Sequence, residues 1–144
     1  MQILEIQFGT PEFDDAVRLR YDVLRKPLGL EFTTEQLASE FDNFHLAAYD
    51  DTGFLVGYLN LTPVDDERVK MRQVAVRPEC QGGGVGKGLV IASEAFAVRL
   101  GFKKMVLHAR ETAVPFYQKL NYKIVGERFE EVSIPHFLMK KTLV

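Results

Sequence analysis

Gln81-Gly82-Gly83-Gly84-Val85-Gly86-Lys87-Gly88 is the stretch whose residue types point most directly to chemistry. Four of the five residues from Gly82 to Gly86 are glycine, and they lie between a strand pattern and a helix pattern. Glycine lets backbone amides turn inward and lets a ligand come close. Amides so placed at a helix N-terminus add to the helix dipole and favour an anion. Lys87 offers a point charge beside the loop and Arg77 another. Together these groups suit a diphosphate. A tight turn that binds nothing is the alternative, at a folding cost of ~1 kcal/mol per glycine relative to alanine. Spacing excludes two common diphosphate readers. The P-loop needs glycine five residues before Gly86 and a hydroxyl residue after Lys87, where the chain has Gln81 and Gly88. The fingerprint G-x-G-x-x-G fails in every register, because Lys87, Leu89 or Ile91 takes the last position.

The elements that must hold this loop follow from periodicity. Leu4, Ile6 and Phe8 alternate as a strand, and Thr10-Pro11 opens a helix that runs to Arg25-Lys26. Thr33 and Gln36 form a capping box for a short second helix reaching about Glu40. Strands are expected over 45–49 and 54–62, joined by the turn Asp50-Asp51-Thr52-Gly53. In the next strand, Arg68 to Arg77, Val69 and Met71 share one parity while Val74 and Val76 share the other. Such a change needs one extra residue, a β-bulge near Arg72-Gln73, unless the strand is buried on both faces. After the loop comes a helix with Leu89, Ala92, Phe96 and Leu100 inward and Gly101 as its stop. A strand at 105–109, a helix at 112–120 capped by Asn121, and strands at 122–130 and 136–142 complete the order β-α-α-β-β-β-α-β-α-β-β. This predicts an α/β fold: a mixed, mostly antiparallel central sheet with helices on both faces, and a βαβ unit at the glycine loop.

The segment Val74-Ala75-Val76-Arg77-Pro78-Glu79-Cys80-Gln81-Gly82-Gly83-Gly84-Val85-Gly86 resembles the acetyl-CoA segment of the GNAT N-acetyltransferases, with Gln81, Gly84 and Gly86 filling its Q/R-x-x-G-x-G/A pattern. Ala113-Val114-Pro115-Phe116-Tyr117-Gln118-Lys119-Leu120-Asn121-Tyr122 is similar to the second signature of that family, at the matching separation. The resemblance covers essentially the whole chain. It implies one N-acetyltransferase domain over 1–144, with a V-shaped opening between strands 68–77 and 105–109 that takes the pantetheine arm. It also implies acetyl-CoA as co-substrate, held by Val74, Ala75, Val76, Gln81, Gly82, Gly83, Gly84, Val85, Gly86 and Lys87. Arg110 joins this set at a position where the family often has Asn. Asn121-Tyr122 replaces the usual Gly-Phe, and Asn tolerates the left-handed cap.

Acetyl transfer to an amine requires a deprotonated amine, a donor to the oxyanion and a proton for the leaving thiolate. The backbone N–H of Val74 at the bulge is the expected donor. Tyr117 is the expected acid, as in similar enzymes. Phe116 is the better core residue of the pair, which turns Tyr117 toward the opening. His136, at the start of the last strand, is the expected base. His108 is a second candidate, and attack through a water chain with no dedicated base is a third route. His45 reads as structural, Glu130 and Glu131 as a solvated acidic edge. Arg20, on the apolar face of the first helix, either snorkels or points at an anionic group of the substrate. The apolar stretch Pro27–Phe32 is a candidate roof for the acceptor.

Length and charge bound the reading. A chain of 144 residues fits one domain of ~150 residues. The net charge of -2 gives no footprint for nucleic acid or anionic membrane. The start has neither a basic nor an apolar leader region, and no apolar run approaches the ~20 residues of a membrane span. One cysteine, Cys80, excludes an intrachain disulfide and a cysteine zinc cluster, so the cytoplasm and no metal are expected. The acceptor is an amine of unknown identity, and a homodimer stays open as the assembly. The alternative function is a non-catalytic module that binds or senses acyl-CoA.

Overall fold

The structure, a computed structural model, describes residues 1–144. Its strands are β1 (Gln2–Ile6), β2 (Phe44–Tyr49), β3 (Leu55–Pro63), β4 (Arg68–Val76), β5 (Lys104–Arg110), β6 (Lys123–Glu131) and β7 (Ile134–Thr142). Its α-helices are α1 (Pro11–Arg20), α2 (Thr34–Ala38), α3 (Val85–Arg99) and α4 (Val114–Lys119). The strands form a seven-stranded sheet in the order β1-β2-β3-β4-β5-β7-β6, antiparallel except for the β4–β5 pair among the registered ladders. Element order and fold class are those expected from the sequence. The chain forms two compact units, one of Met1–Thr62 with Gln73–Ser93 and one of Pro63–Arg72 with Glu94–Val144.

In the first unit, β1, β2 and β3 make an antiparallel meander with Ile6 opposite His45 and Ala47 opposite Tyr58. The Thr10 side chain accepts from the Phe13 N–H and Pro11 begins α1, as the cap pattern predicts. Ala16 and Leu19 of α1 pack on Ile6, Ala47, Leu55, Tyr58 and Ala75. Regular α geometry ends at Arg20, and Tyr21–Arg25 continues as a π turn. The sequence pattern reads a single helix there, because one inserted residue leaves Val23 and Leu24 apolar and still packed on the cluster. The capping box at α2 has both of its bonds. Gly57, the neighbour of Tyr58 in β3, faces the opposite side of the sheet. A Cβ on it would lie 2.7 Å from Leu89 Cδ1 and 2.9 Å from Val85 Cγ1. Helices α1 and α3 therefore cover opposite faces, and glycine sets the approach of α3.

The inner face of α3 is not the expected one. Leu89, Val90, Ser93 and Ala97 are buried, whereas Leu100 is 45% exposed. The Ser93 hydroxyl donates to the Val90 carbonyl at 2.7 Å, so its burial leaves no orphan. Small residues permit a close helix–sheet approach that a reading weighted by side-chain size misses.

In the second unit, β4 and β5 pair in parallel from Arg68↔Lys104 to Met71↔Leu107. β5 continues to Arg110, antiparallel to β7 throughout. β6 and β7 join through Val132 and Ser133, with φ of 47° and 62°. A two-residue turn with both φ positive matches the twist of its strands, but a β-branched residue is unusual there. Val69, Met71, Met105, Leu107, Ala109, Tyr122 and Met139 are buried.

The bulge expected at Arg72-Gln73 has a physical signature. Gln73 has φ of 56°, inside a strand. Met71 lies beside Leu107, on the side where Lys141, opposite Met105, bonds Glu94 of α3. Ala75, of the same parity, instead packs with α1 residues. The alternation slips by one residue between them.

Candidate active site

The glycine loop begins after a short 3₁₀ turn, Pro78–Cys80. Gln81 does not point away: its side-chain amide donates to the Val76 carbonyl at 3.1 Å and ties the loop to the end of β4. Gly82 and Gly84 have φ of 83° and 88°, where a side chain would be strained. A Cβ on Gly83 would come within 3.3 Å of the Cys80 carbonyl. The helix starts earlier than the sequence pattern suggests, at Val85, so Gly86, Lys87 and Gly88 form its first turn. The first helical bond runs from the Gly88 N–H to the Gly84 carbonyl at 2.9 Å. The N–H groups of Val85, Gly86 and Lys87 precede that bond and have no intrahelical acceptor. Lys87 is exposed beside them. This arrangement can receive an anion.

Two expectations for this region are narrowed. Arg77 is a tethered charge beside the loop. Its Nε donates to the Leu55 carbonyl at 2.5 Å and its guanidinium lies 4.2 Å from the Phe54 ring centroid. Of Val74, Ala75 and Val76, the middle side chain is in the core at 1% exposure, so Ala75 can serve a ligand only through its backbone. Arg20 is also not turned to a substrate. It is fully buried, forms two 2.8 Å bonds to Glu40, and lies under Phe32 of the supposed acceptor roof. His45 is structural as read, with Nδ1 2.6 Å from the Tyr58 hydroxyl and Nε2 3.0 Å from the Glu40 carbonyl.

In the second unit, Phe116 and Tyr117 exchange the places expected of them. Tyr117 is buried and Phe116 is 37% exposed. The Tyr117 ring meets Phe116 and Tyr122 edge-on, at 5.0 and 5.7 Å between centroids. Burial alone pushes its hydroxyl up to about 12, so it keeps its proton at neutral pH. Tyr122 instead donates to Glu94, which also accepts from Lys141. Asn121 has φ of 73° and caps α4, as expected.

His136 is buried in β7, directly opposite Arg110 of β5, which is half-buried. Its Nδ1 donates to the Ile134 carbonyl at 2.7 Å, and its Nε2 lies 3.6 Å from Glu131 Oε2. His108 Nδ1 lies 3.1 Å from Glu131 Oε1. Glu131 is therefore no solvated edge: both imidazoles converge on its carboxylate. Desolvation pulls its pKa up, but the hydrogen bond from His108 and the charges of His108, His136 and Lys70 outweigh it, and the net shift is downward. Phe129 contacts both rings. Lys70 Nζ is 3.3 Å from His108 Nδ1. One ring nitrogen cannot donate to Glu131 and accept from Lys70 at once, and donation goes with the ionised carboxylate, which can only accept. Sequence reasoning missed Lys70, Arg72 and Glu131. The two cations at alternate positions of one strand were the available signal. No group of three or more His, Cys, Asp or Glu residues is arranged to hold a metal, and no helix is long and apolar enough to cross a membrane.

The element order and the glycine loop at the start of α3 define an α/β fold with a phosphate-binding type of loop. Residues 23–143 match the acetyltransferase (GNAT) domain family, and the chain belongs to it. A presumed acetyltransferase of Bacillus subtilis (strain 168) is 30% identical over 82% of this chain and 84% of its own length. The fold is shared with an aminoglycoside 6'-N-acetyltransferase complexed with coenzyme A, with TM-score 0.82 and 21% identity over 100% of this chain and 98% of that one. It is shared too with a GNAT family acetyltransferase from Elizabethkingia anophelis with acetyl-CoA bound, with TM-score 0.73 and 21% identity over 98% and 97%.

Proposed function

We infer that residues 1–144 act as one N-acetyltransferase domain, which transfers an acetyl group from acetyl-CoA to a primary amine by direct attack in a ternary complex. The observation that carries this reading is the loop from Gln81 to Lys87, whose left-handed glycines turn free amides outward at the start of α3. A diphosphate fits such a cradle. The coenzyme A and acetyl-CoA complexes of the two fold relatives support acetyl-CoA as its source. The bound thioester supplies an activated acyl group. Val74, following the left-handed Gln73, offers its backbone N–H to the thioester carbonyl oxygen. Val76, at the end of β4, and Arg110, at the end of β5, are assigned to the pantetheine arm by this reading. Neutral His136, with its proton on Nδ1 toward the Ile134 carbonyl, takes the proton of the attacking amine at Nε2, and Tyr117, kept protonated by burial, gives one to the departing sulfur. A new amide C–N bond replaces the C–S bond. The single cysteine supports a reducing, cytoplasmic setting.

The test is a thiol-release assay with acetyl-CoA against a panel of amines. Amine-dependent release of CoA is expected. Tight acetyl-CoA binding with no release for any amine would leave an acyl-CoA-binding module instead. In Gly84→Val, calorimetry is expected to show weakened CoA binding in a folded protein, because φ of 88° strains any side chain there.

A further inference from the structure

Lys70 and Arg72 sit two residues apart on β4, before the slip at Gln73, and so project from one face. Both are half-buried. Neither forms an ion pair within 4.0 Å, and the one polar contact of Lys70 is with the His108 ring. The carboxylate in this region, Glu131, is already engaged by His108 and His136. Burial, and then the neighbouring Arg72, hold the Lys70 ammonium below its ordinary pKa despite the opposing pull of the Glu131 carboxylate. Two adjacent, partly desolvated cations with only the Glu131 carboxylate near Lys70 keep a surplus of positive charge, which is costly. Their place is also telling. Lys70 is one residue before the last β4–β5 pair, Met71↔Leu107, and Arg72 is one residue after it. They stand at the carboxyl end of a parallel ladder, where sheets of this kind receive ligands.

We propose that Lys70 and Arg72 bind a carboxylate of the acceptor, so that this enzyme acetylates amines that carry a carboxylate. Arg72 presents a planar fork that matches a carboxylate, and Lys70 adds a point charge at its side. The ion pair that forms compensates both cations. This rests on the acetyl-transfer reading above and goes further by naming the acceptor class.

The experiment compares amines that differ only by a carboxylate: glycine, β-alanine and 4-aminobutyrate against methylamine, ethylamine and propylamine, and L-phenylalanine against phenethylamine. Thiol release is measured with the native chain, Lys70→Met and Arg72→Gln. The carboxylate is expected to raise kcat/KM about 10- to 100-fold, the value of a hydrogen bond to a charged group. Each variant should lose most of that advantage through KM, with acetyl-CoA affinity unchanged. Equal or better use of the plain amines, or a preference that survives in both variants, overturns the proposal. Should no amine be accepted, the acetyl-transfer reading fails by itself and the site is judged by binding. Acetate is then titrated against the His108 imidazole signals by NMR. A saturable shift that Lys70→Met abolishes supports the carboxylate site, and the absence of a saturable shift overturns it.

Discussion

Two groups of polar residues lie within this small protein, and they differ in how their charges are balanced. Arg20, Glu40, His45 and Tyr58 form a sealed set: all four are buried, and the guanidinium has its carboxylate at 2.8 Å. Lys70, Arg72, His108, Glu131 and His136 form an open set, in which one half-exposed carboxylate bonded to imidazole is set against two fixed cations, Lys70 and Arg72. A buried charge that is fully paired serves folding, since removing its partner is costly. A surplus charge at a rim serves folding poorly and waits for something outside the chain. Chemistry in this fold is marked by imbalance rather than by the mere presence of titratable groups.

The largest expected effect tests the sealed set. Glu40→Ala leaves a buried guanidinium alone and should cost ~3–5 kcal/mol, read by urea denaturation. Arg20→Met combined with Glu40→Leu should recover much of that. A loss below ~1 kcal/mol in the single variant would erase the distinction between the two sets. Tyrosines sharpen it next. Tyr58 and Tyr117 are both buried, but only the Tyr58 hydroxyl is bonded to His45. Tyr117→Phe should lower kcat ~100-fold with stability unchanged. Tyr58→Phe should cost ~1–3 kcal/mol of stability with kcat unchanged. Interchanged outcomes would reverse the assignment. A smaller effect concerns pH. Burial lowers the His45 pKa below 6.5 in the folded state, so below pH 6.5 the unfolded chain binds the extra proton. Stability contributed by neutral His45 is complete above that pH and declines as pH falls through the window beneath it, by at most ~1.4 kcal/mol per pH unit. Melting temperatures measured from pH 7.5 to 5 should fall less steeply in His45→Gln.

The same contrast explains what could be read from the chain before its folding was known. The conformation of the glycine loop was legible because it is local: Gln81 to Lys87 are consecutive, and a positive φ calls for glycine wherever it occurs. The caps at Thr10 and Thr33 were legible for the same reason. The slip in β4 showed itself through parity. The open set was not legible, because residues 70, 108, 131 and 136 meet only after four strands have paired, and no spacing along the chain encodes that. Glu131 read as a solvated edge because sequence cannot show two imidazoles arriving from β5 and β7. Phe116 and Tyr117 were exchanged because hydropathy ranks Phe as the deeper residue, whereas a tyrosine without a hydrogen-bond partner lies inside here. The tether of Arg77 was not legible because its Nε reaches a carbonyl 22 residues earlier.

Gly57 has no chemistry of its own, yet it acts as the spacer gauge for the start of α3, where the proposed diphosphate cradle lies. The beginning of α3 rests on the bare backbone of β3, with Leu89 and Val85 closer than any side chain would tolerate. Adding one methyl group in Gly57→Ala must displace the Leu89 and Val85 side chains, and their displacement is expected to shift the first turn of that helix. The amides of Val85, Gly86 and Lys87 ride on that turn. A substitution remote from every reacting atom should therefore detune CoA affinity in graded fashion, visible by calorimetry, and the thickness of one layer of the sheet becomes an adjustable parameter of ligand binding.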